Sequence, residues 1–191
     1  MRCMLCEKYS LTHICKFCQK TFLTPSIYKR KLSNGIEVIS FYKYDDIKNL
    51  LFTKHTDLGY YIYNILAKLS FKKFADEFHT KEKYVSIAID DKIDTGYSHT
   101  AILNKYLRTY NIKPIFHTIR ALNSISYSGK SKIFRKMNPR NYKIYAFKAK
   151  NVILVDDIIT TGSTLEEAVK IMRTEDKEVL LCLTLCDVNV K

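Results

Sequence analysis

A mainly parallel α/β sheet flanked by helices is the fold class this sequence predicts, and three observations predict it. Short apolar runs rich in β-branched residues alternate with segments of helical periodicity. One run, "NVILVD" from Asn151 to Asp156, is apolar without a break from Val152 to Val155, as a strand buried on both faces would be. After a short glycine-containing turn it leads into an amphipathic helix, the strand–turn–helix step from which parallel sheets are built.

The elements follow in chain order. "KRKLSNGIEVISFYKY", Lys29 to Tyr44, predicts a β-hairpin: two β-prone runs around Asn34-Gly35, a favoured two-residue turn pair. Asp45 or Asp46 can cap a short helix through Thr53, and Asp57 a longer one with Ile62, Ile65, Leu66 and Leu69 at helical spacing. "YVSIAID", Tyr84 to Asp90, is a strand that ends on acids. Residues 98–110 are predicted helical, and "KPIFHTIR", Lys113 to Arg120, is a second strand. Ala121 to Tyr142 is polar, basic and turn-rich, a long loop with at most one helical turn. "NVILVD" is the third strand. Ser163 to Arg173 is a helix with Glu166 and Glu167 in its first turn, where the dipole favours acids. "EVLLCLTLCDV", Glu178 to Val188, closes as a fourth strand. Cys182 and Cys186 share one face of it, as buried core thiols.

A chain of 191 residues holds one sizeable domain and a small appendage. A hydrophobic content of 47% excludes a disordered chain. No window approaches the roughly 18 apolar residues of a membrane-spanning helix. "MRCMLCEKYS" lacks the apolar region of a secretory signal, so the expected location is cytoplasmic. There, six cysteines point to metal or burial rather than disulfides.

Four of these cysteines lie in two CxxC pairs, Cys3/Cys6 and Cys15/Cys18. Each pair can offer two thiolates to one ion, and two pairs complete a tetrahedral four-sulfur zinc site. With all four positions filled by sulfur the ion is structural, with no vacant place for a catalytic water. His13 remains open as a substitute for one thiolate. The expected division is a zinc-binding knuckle at 1–24 and an α/β domain at 25–191, with 25–44 as its hairpin extension. So short a segment has little core of its own, and the metal would fold it.

The net charge of +13 is unevenly spread. Between Thr95 and Val155 there is no Asp or Glu, while Lys105 to Lys150 carries 12 Lys and Arg. The first 44 residues carry 8 basic and 2 acidic residues. A basic block without acids is a surface for a polyanion through counterion release. Its aromatics (Tyr106, Tyr110, Phe116, Tyr127, Phe134, Tyr142, Tyr145 and Phe147) either pack in the core or offer stacking faces to unpaired bases. Tyr127 and Phe134 fall in the predicted loop and are the best stacking candidates. Lys130, Lys132, Arg135, Lys136 and Arg140 beside them are the candidate phosphate contacts.

The stretch "VILVDDIITTGST", Val152 to Thr164, carries the densest chemistry. The expected strand ends at Asp156 and the helix begins near Ser163, so the turn lies at the C-terminal edge of the sheet, where open α/β folds bind ligands. The amides of Thr161 to Thr164 point out of the helix start and favour an anion. Gly162 permits close approach, and the hydroxyls of Thr160, Thr161, Ser163 and Thr164 add donors. One end of the ligand is therefore a phosphate. Asp156 and Asp157 repel phosphate and must meet hydroxyls, a cation or both. A ribose 5-phosphate fits that pattern.

These thirteen residues resemble the phosphoribosyl-pyrophosphate fingerprint of type I phosphoribosyltransferases: an apolar strand, two acids, then T-T-G-x-T. With four cysteines ahead of it, the chain resembles the ComF family of competence proteins. "GYSHTA", Gly96 to Ala101, is similar to that family's R-G-F-N-Q-A segment. "SGKSKIFRKMNPRNY" is similar to its Q-x-G-x-x-x-x-x-R-x-x-N segment, with Gly129, Arg135 and Asn138 on matching positions. Thr95 stands where the family has arginine, and Tyr127 where it has glutamine. The segment "IDDKIDTG" sets Asp90, Asp91 and Asp94 around Lys92, and carboxylates there repel a pyrophosphate unless magnesium bridges them.

The resemblance implies a type I phosphoribosyltransferase-like open sheet with a small N-terminal zinc-binding module. It implies structural zinc, and magnesium together with phosphoribosyl pyrophosphate. Asp156 and Asp157 would be the catalytic groups, stabilising positive charge at the anomeric carbon. Asp156, Asp157, Thr160, Thr161, Gly162, Ser163 and Thr164 would hold the ligand. The implied role is single-stranded DNA binding during DNA uptake, in the cytoplasm or at the inner face of the membrane. A helicase or an inner-membrane DNA channel is the kind of partner expected. The alternative is an active magnesium-dependent phosphoribosyltransferase acting on an unknown acceptor.

Overall fold

The computed structural model describes residues 1–89, 93, 96–122, 137 and 141–190. Its strands are β1 (Tyr28–Lys31), β2 (Glu37–Lys43), β3 (Tyr84–Ile89), β4 (Ile112–Ala121), β5 (Tyr142–Ile144), β6 (Asn151–Ile159) and β7 (Glu178–Asp187). They form one sheet in the order β1-β2-β7-β6-β3-β4-β5. From β2 to β4 the strands are parallel, and the edge strands β1 and β5 are antiparallel to their neighbours. The helices are α1 (Lys16–Phe22), α2 (Tyr44–Leu51), α3 (Asp57–Ala67), α4 (Lys73–Glu77), α5 (His99–Lys105) and α6 (Ser163–Thr174). A 3₁₀ turn, Phe52–His55, joins α2 to α3, and a wider π turn, Lys68–Lys72, joins α3 to α4. The expected mainly parallel α/β fold is the fold observed.

The sheet is covered on both faces. Ile153, Val155, Leu183 and Leu185 pack with Ile47, Ile62, Leu66, Phe71 and Leu103 from the helices between α2 and α5. Val85, Ile87, Val152 and Leu154 pack with Leu165, Ala168, Val169 and Met172 of α6. Strand β6 thus feeds alternate side chains into two apolar layers, which is why its sequence is apolar without a break. Each such buried aliphatic side chain contributes roughly 1.5–3 kcal/mol. Cys182 and Cys186 are both fully buried as expected, but they do not share one face: Cys182 packs in the second layer and Cys186 in the first.

Some boundaries differ from expectation, each for a local reason. The hairpin loop has three residues, Ser33 to Gly35, because Leu32 N–H still donates to the Ile36 carbonyl (2.9 Å). Gly35 takes the left-handed conformation (φ 85°) that such a loop requires. The register is held by β7: Val38 pairs with Cys182 and Ile39 with Leu183, so β2 is an inner strand of the sheet. Lys43 holds the cap position of α2, which places Asp45 and Asp46 in its first turn. Thr56 precedes α3 and Asp57 is its first residue. Helix α5 is capped by Ser98, whose Oγ accepts from Ala101 N–H, and it ends at Lys105. Leu107 then turns fully into the first layer and leads the chain to β4. Strand β6 runs on to Ile159 because β7 stays paired with it as far as Asp187, so both acids lie within the strand.

Gly59 in α3 allows a close approach that shapes the site below. A Cβ at 59 would collide with the Tyr97 hydroxyl and the Thr53 carbonyl. The hydroxyl needs that space, since it donates to the carbonyls of Lys54 (2.7 Å) and Thr56 (3.1 Å). Gly59→Ala is therefore expected to cost about 1–3 kcal/mol, as overpacking against backbone does. Urea unfolding measures it; an unchanged midpoint would mean that the Thr53–Thr56 turn yields freely. Among the described residues no helix is long and apolar enough to cross a membrane.

Candidate functional site

Two constellations stand out, one at the N-terminus and one at the C-terminal edge of β6. In the first, the sulfurs of Cys3, Cys6, Cys15 and Cys18 all lie within 4.8 Å of one another. Cys6 and Cys15 Sγ are 3.8 Å apart. A zinc–sulfur bond of about 2.3 Å gives a tetrahedron with an edge of about 3.8 Å, so the donor set fits the ion. Backbone N–H groups reinforce it: Cys15 N–H donates to Cys3 Sγ (3.3 Å) and Cys18 N–H to Cys15 Sγ (3.4 Å). Burial acts to raise the Cys3 thiol, but amide donors from Cys15, Leu5 and Cys6 outweigh it and bring it down to about 6. Burial pushes the Cys18 thiol up. The four-cysteine cluster can hold a metal such as zinc. The His13 ring instead packs against Tyr61, with centroids 4.4 Å apart.

The second constellation grows from the β6–α6 connection. Gly162, in the left-handed conformation (φ 86°), is the residue before α6. Thr161 Oγ1 and Ser163 Oγ share a hydrogen bond of 2.8 Å, and Ser163 N–H points at Thr161 Oγ1 (3.4 Å). The turn 160–164 thus starts a twelve-residue helix at the C-terminal edge of a parallel sheet. That edge is where the helix dipole and the open amides favour an anion.

Asp156 and Asp157 are neighbours on the strand and project to opposite faces. Asp157 N–H donates to Asp156 Oδ1 (2.8 Å). Asp157 is buried, and its Oδ2 lies 3.4 Å from Lys54 Nζ and 3.3 Å from His99 Nε2. Burial alone would raise the Asp157 carboxyl; His99 and then Lys54 outweigh it and hold the group well below the usual carboxylate range. Tyr63 lies against this group, its ring centroid 5.5 Å from that of His99. Its buried hydroxyl has no hydrogen-bond partner among the described residues. Burial first, and Asp157 next, push the Tyr63 phenol well above its ordinary value.

Lys54 and His99 are the members of the site that sequence reasoning missed. His99 sits in "GYSHTA", a segment singled out for its resemblance, but no local pattern ties it to Asp157. Lys54 is 103 residues from Asp157 in the chain. The predicted nucleic-acid contacts Tyr127, Lys130, Lys132, Phe134, Arg135, Lys136 and Arg140 lie outside the described residues. So do Asp90, Asp91, Lys92, Asp94, Thr95, Gly129 and Asn138. Of the other aromatics in the acid-free block, Tyr110, Phe116 and Tyr145 are exposed and Tyr142 is buried. Tyr106 packs against the first layer and Phe147 against the second.

The family model for the phosphoribosyl transferase domain matches residues 121–191. No curated protein matches the sequence. Among solved structures, the chain is similar to a hypoxanthine phosphoribosyltransferase from Staphylococcus aureus (15% identity, TM-score 0.40, 65% of this chain and 62% of that one). It thus spans less than two thirds of that enzyme's length. It is also similar to an orotate phosphoribosyltransferase from Aeropyrum pernix (17% identity, TM-score 0.39, 90% and 80%). A third is an adenine phosphoribosyltransferase from Saccharomyces cerevisiae (19% identity, TM-score 0.41, 90% and 88%).

Proposed function

We propose that the β6–α6 edge binds phosphoribosyl pyrophosphate and that the protein carrying this site handles single-stranded DNA during uptake. The observation that carries the first half is the juxtaposition of the Gly162 turn, an anion site, with the two carboxylates of β6. The turn 160–164 takes the 5-phosphate, and Asp156, the less buried of the two acids, meets the ribose hydroxyls, while Asp157 on the other face stays between Lys54 and His99. Lys54 beside Asp157 offsets negative charge that would otherwise repel the phosphates, and His99 donates a second contact to the same carboxylate. Asp157 is a poor magnesium ligand in this arrangement, since its Oδ2 already lies between two nitrogens. Magnesium would therefore arrive as the counter-ion of the pyrophosphate. The family match over residues 121–191 supports the same reading.

The second half rests on charge and on exposed rings. The stretch from Thr95 to Val155 holds no acid. Tyr145 is exposed on it with Lys143 Nζ 5.1 Å and Arg120 5.9 Å from its ring centroid. Lys83 lies 5.0 Å from the centroid of exposed Tyr110. Cations interleaved with open aromatic faces suit unpaired bases. The resemblance to the ComF family points the same way.

Fluorescence anisotropy of a labelled single-stranded oligonucleotide, over a salt series and with or without magnesium phosphoribosyl pyrophosphate, tests both halves. Binding should fall steeply with salt, show little sequence preference and shift when the sugar phosphate is added. No binding at low salt would remove the DNA reading. Pyrophosphate release in the same mixtures, given an acceptor, would instead assign turnover and make the chain an active phosphoribosyltransferase.

A further inference from the structure

We infer that Arg30, on the opposite end of the chain, is a positioning residue for the 160–164 turn. It holds the Thr160–Thr161 peptide so that its N–H faces the ligand side. This rests on the sugar-phosphate reading of that turn. Three contacts bring the β1–β2 hairpin onto the turn. Arg30 Nη2 donates to the Thr160 carbonyl (2.8 Å) across 130 residues of sequence. Leu32 packs over Gly162 so closely that a Cβ there would lie 2.9 Å from Leu32 Cδ2. Ser33 N–H donates to Glu166 Oε1 (3.1 Å) in the first turn of α6.

Arg30 is itself held in place. Its Nε lies 3.2 Å from Asp187 Oδ2, and Asp187 is only 3% exposed at the end of β7. Asn189 closes the arrangement: its N–H donates to Asp187 Oδ1 (2.8 Å) and its Nδ2 to the Thr160 carbonyl (2.9 Å). The Thr160 carbonyl therefore has two fixed donors on one side. No described peptide bond is cis. In a trans peptide the C=O and the following N–H point in opposite directions, so pinning the carbonyl aims the Thr161 N–H the other way, toward the anion. Without Arg30 the carbonyl keeps only the Asn189 donor, and the peptide turns over more readily to present a carbonyl to the phosphate. Arginine is required because one planar fork reaches Asp187 and Thr160 together; a lysine keeps the charge beside Asp187 and loses the bridge.

The test uses the whole chain, prepared in the presence of zinc, with Arg30→Lys and Arg30→Met. NMR relaxation dispersion at Thr161 and Gly162 is read without ligand, and calorimetry measures the affinity for ribose 5-phosphate. In both variants these amides are expected to acquire microsecond-to-millisecond exchange absent from the parent, and the affinity to fall about tenfold, as loss of a charged hydrogen bond implies. Unchanged dispersion at Thr161 and Gly162 overturns the inference, even if the melting temperature drops. If Arg30→Met does not fold, Arg30→Lys decides, because Asp187 keeps a cation. If the parent protein fails to bind ribose 5-phosphate, the sugar-phosphate reading falls, while the dispersion still decides whether Arg30 holds the turn.

Discussion

Withholding zinc from the four-cysteine cluster, or replacing Cys18 with serine, is expected to lower the melting temperature of the whole chain and not only to unfold a tail. The reason is where the four-cysteine module packs. Cys3, Ile14, Cys18 and Leu23 are buried in the same apolar layer as Ile62, Leu66 and Phe71. The Tyr42 hydroxyl of β2 donates to the Leu23 carbonyl (2.9 Å), and His13 packs on Tyr61 of α3. Unfolding the module would therefore uncover one end of the main core. Structural zinc contributes on the order of 10–16 kcal/mol to folding in small zinc modules. Losing even a third of that corresponds to a drop of about 10 °C or more for a chain of this size. Native mass spectrometry should find one zinc per chain, lost in Cys18→Ser and retained in Cys186→Ala. A metal-free protein that melts at the same temperature would show that the cysteines only fill space.

Removing the Asp157 charge is the second large effect. Asp157→Asn keeps the shape and leaves Lys54 and His99 without the carboxylate between them. Taking one partner from a buried pair costs about 3–5 kcal/mol; here about 2–4 is expected, because Lys54 and His99 keep some contact with water. The pH dependence has a definite sign. The Asp157 carboxyl is held below its ordinary value, so its stabilisation is fully present above the unfolded-state carboxyl value of about 4 and is lost as pH falls below that. Urea unfolding of both proteins between neutral and acid pH tests this. The gap between parent and variant should narrow as pH falls through about 4. Proton competition for the thiolates acts on both proteins alike and cancels in the difference. A gap that stays constant would mean that Asp157 is not ionised against Lys54 and His99.

Both predictions start from patterns legible in the sequence. The two CxxC pairs lie within sixteen residues, and the strand–acid–acid–turn–helix pattern within thirteen. Over such distances, ligand spacing, strand alternation and the conformational freedom of Gly162 largely set the local geometry. The mainly parallel sheet was legible for the same reason, because each strand and helix declares its own period. Boundaries were less so. The β6 strand runs past Asp156 because pairing with β7 sets where it stops, and the hairpin loop gains a third residue because Leu32 still pairs with Ile36. The three residues of β5 follow a polar segment and are a strand only by pairing with β4.

By itself, then, the sequence determined the fold class, the four-sulfur cluster and the glycine turn that starts α6. The tertiary structure alone decided what surrounds that turn. Lys54 and His99 come to Asp157 from the far ends of other elements, and Arg30 comes to Thr160 from an edge strand. None of them carries a local signal, since a lone lysine, histidine or arginine looks like surface until the strand order is known. The order β1-β2-β7-β6 stacks the start of the chain beside its end. A contact between residues so far apart is set by which strands are neighbours, and that choice belongs to packing of the whole sheet rather than to any one segment.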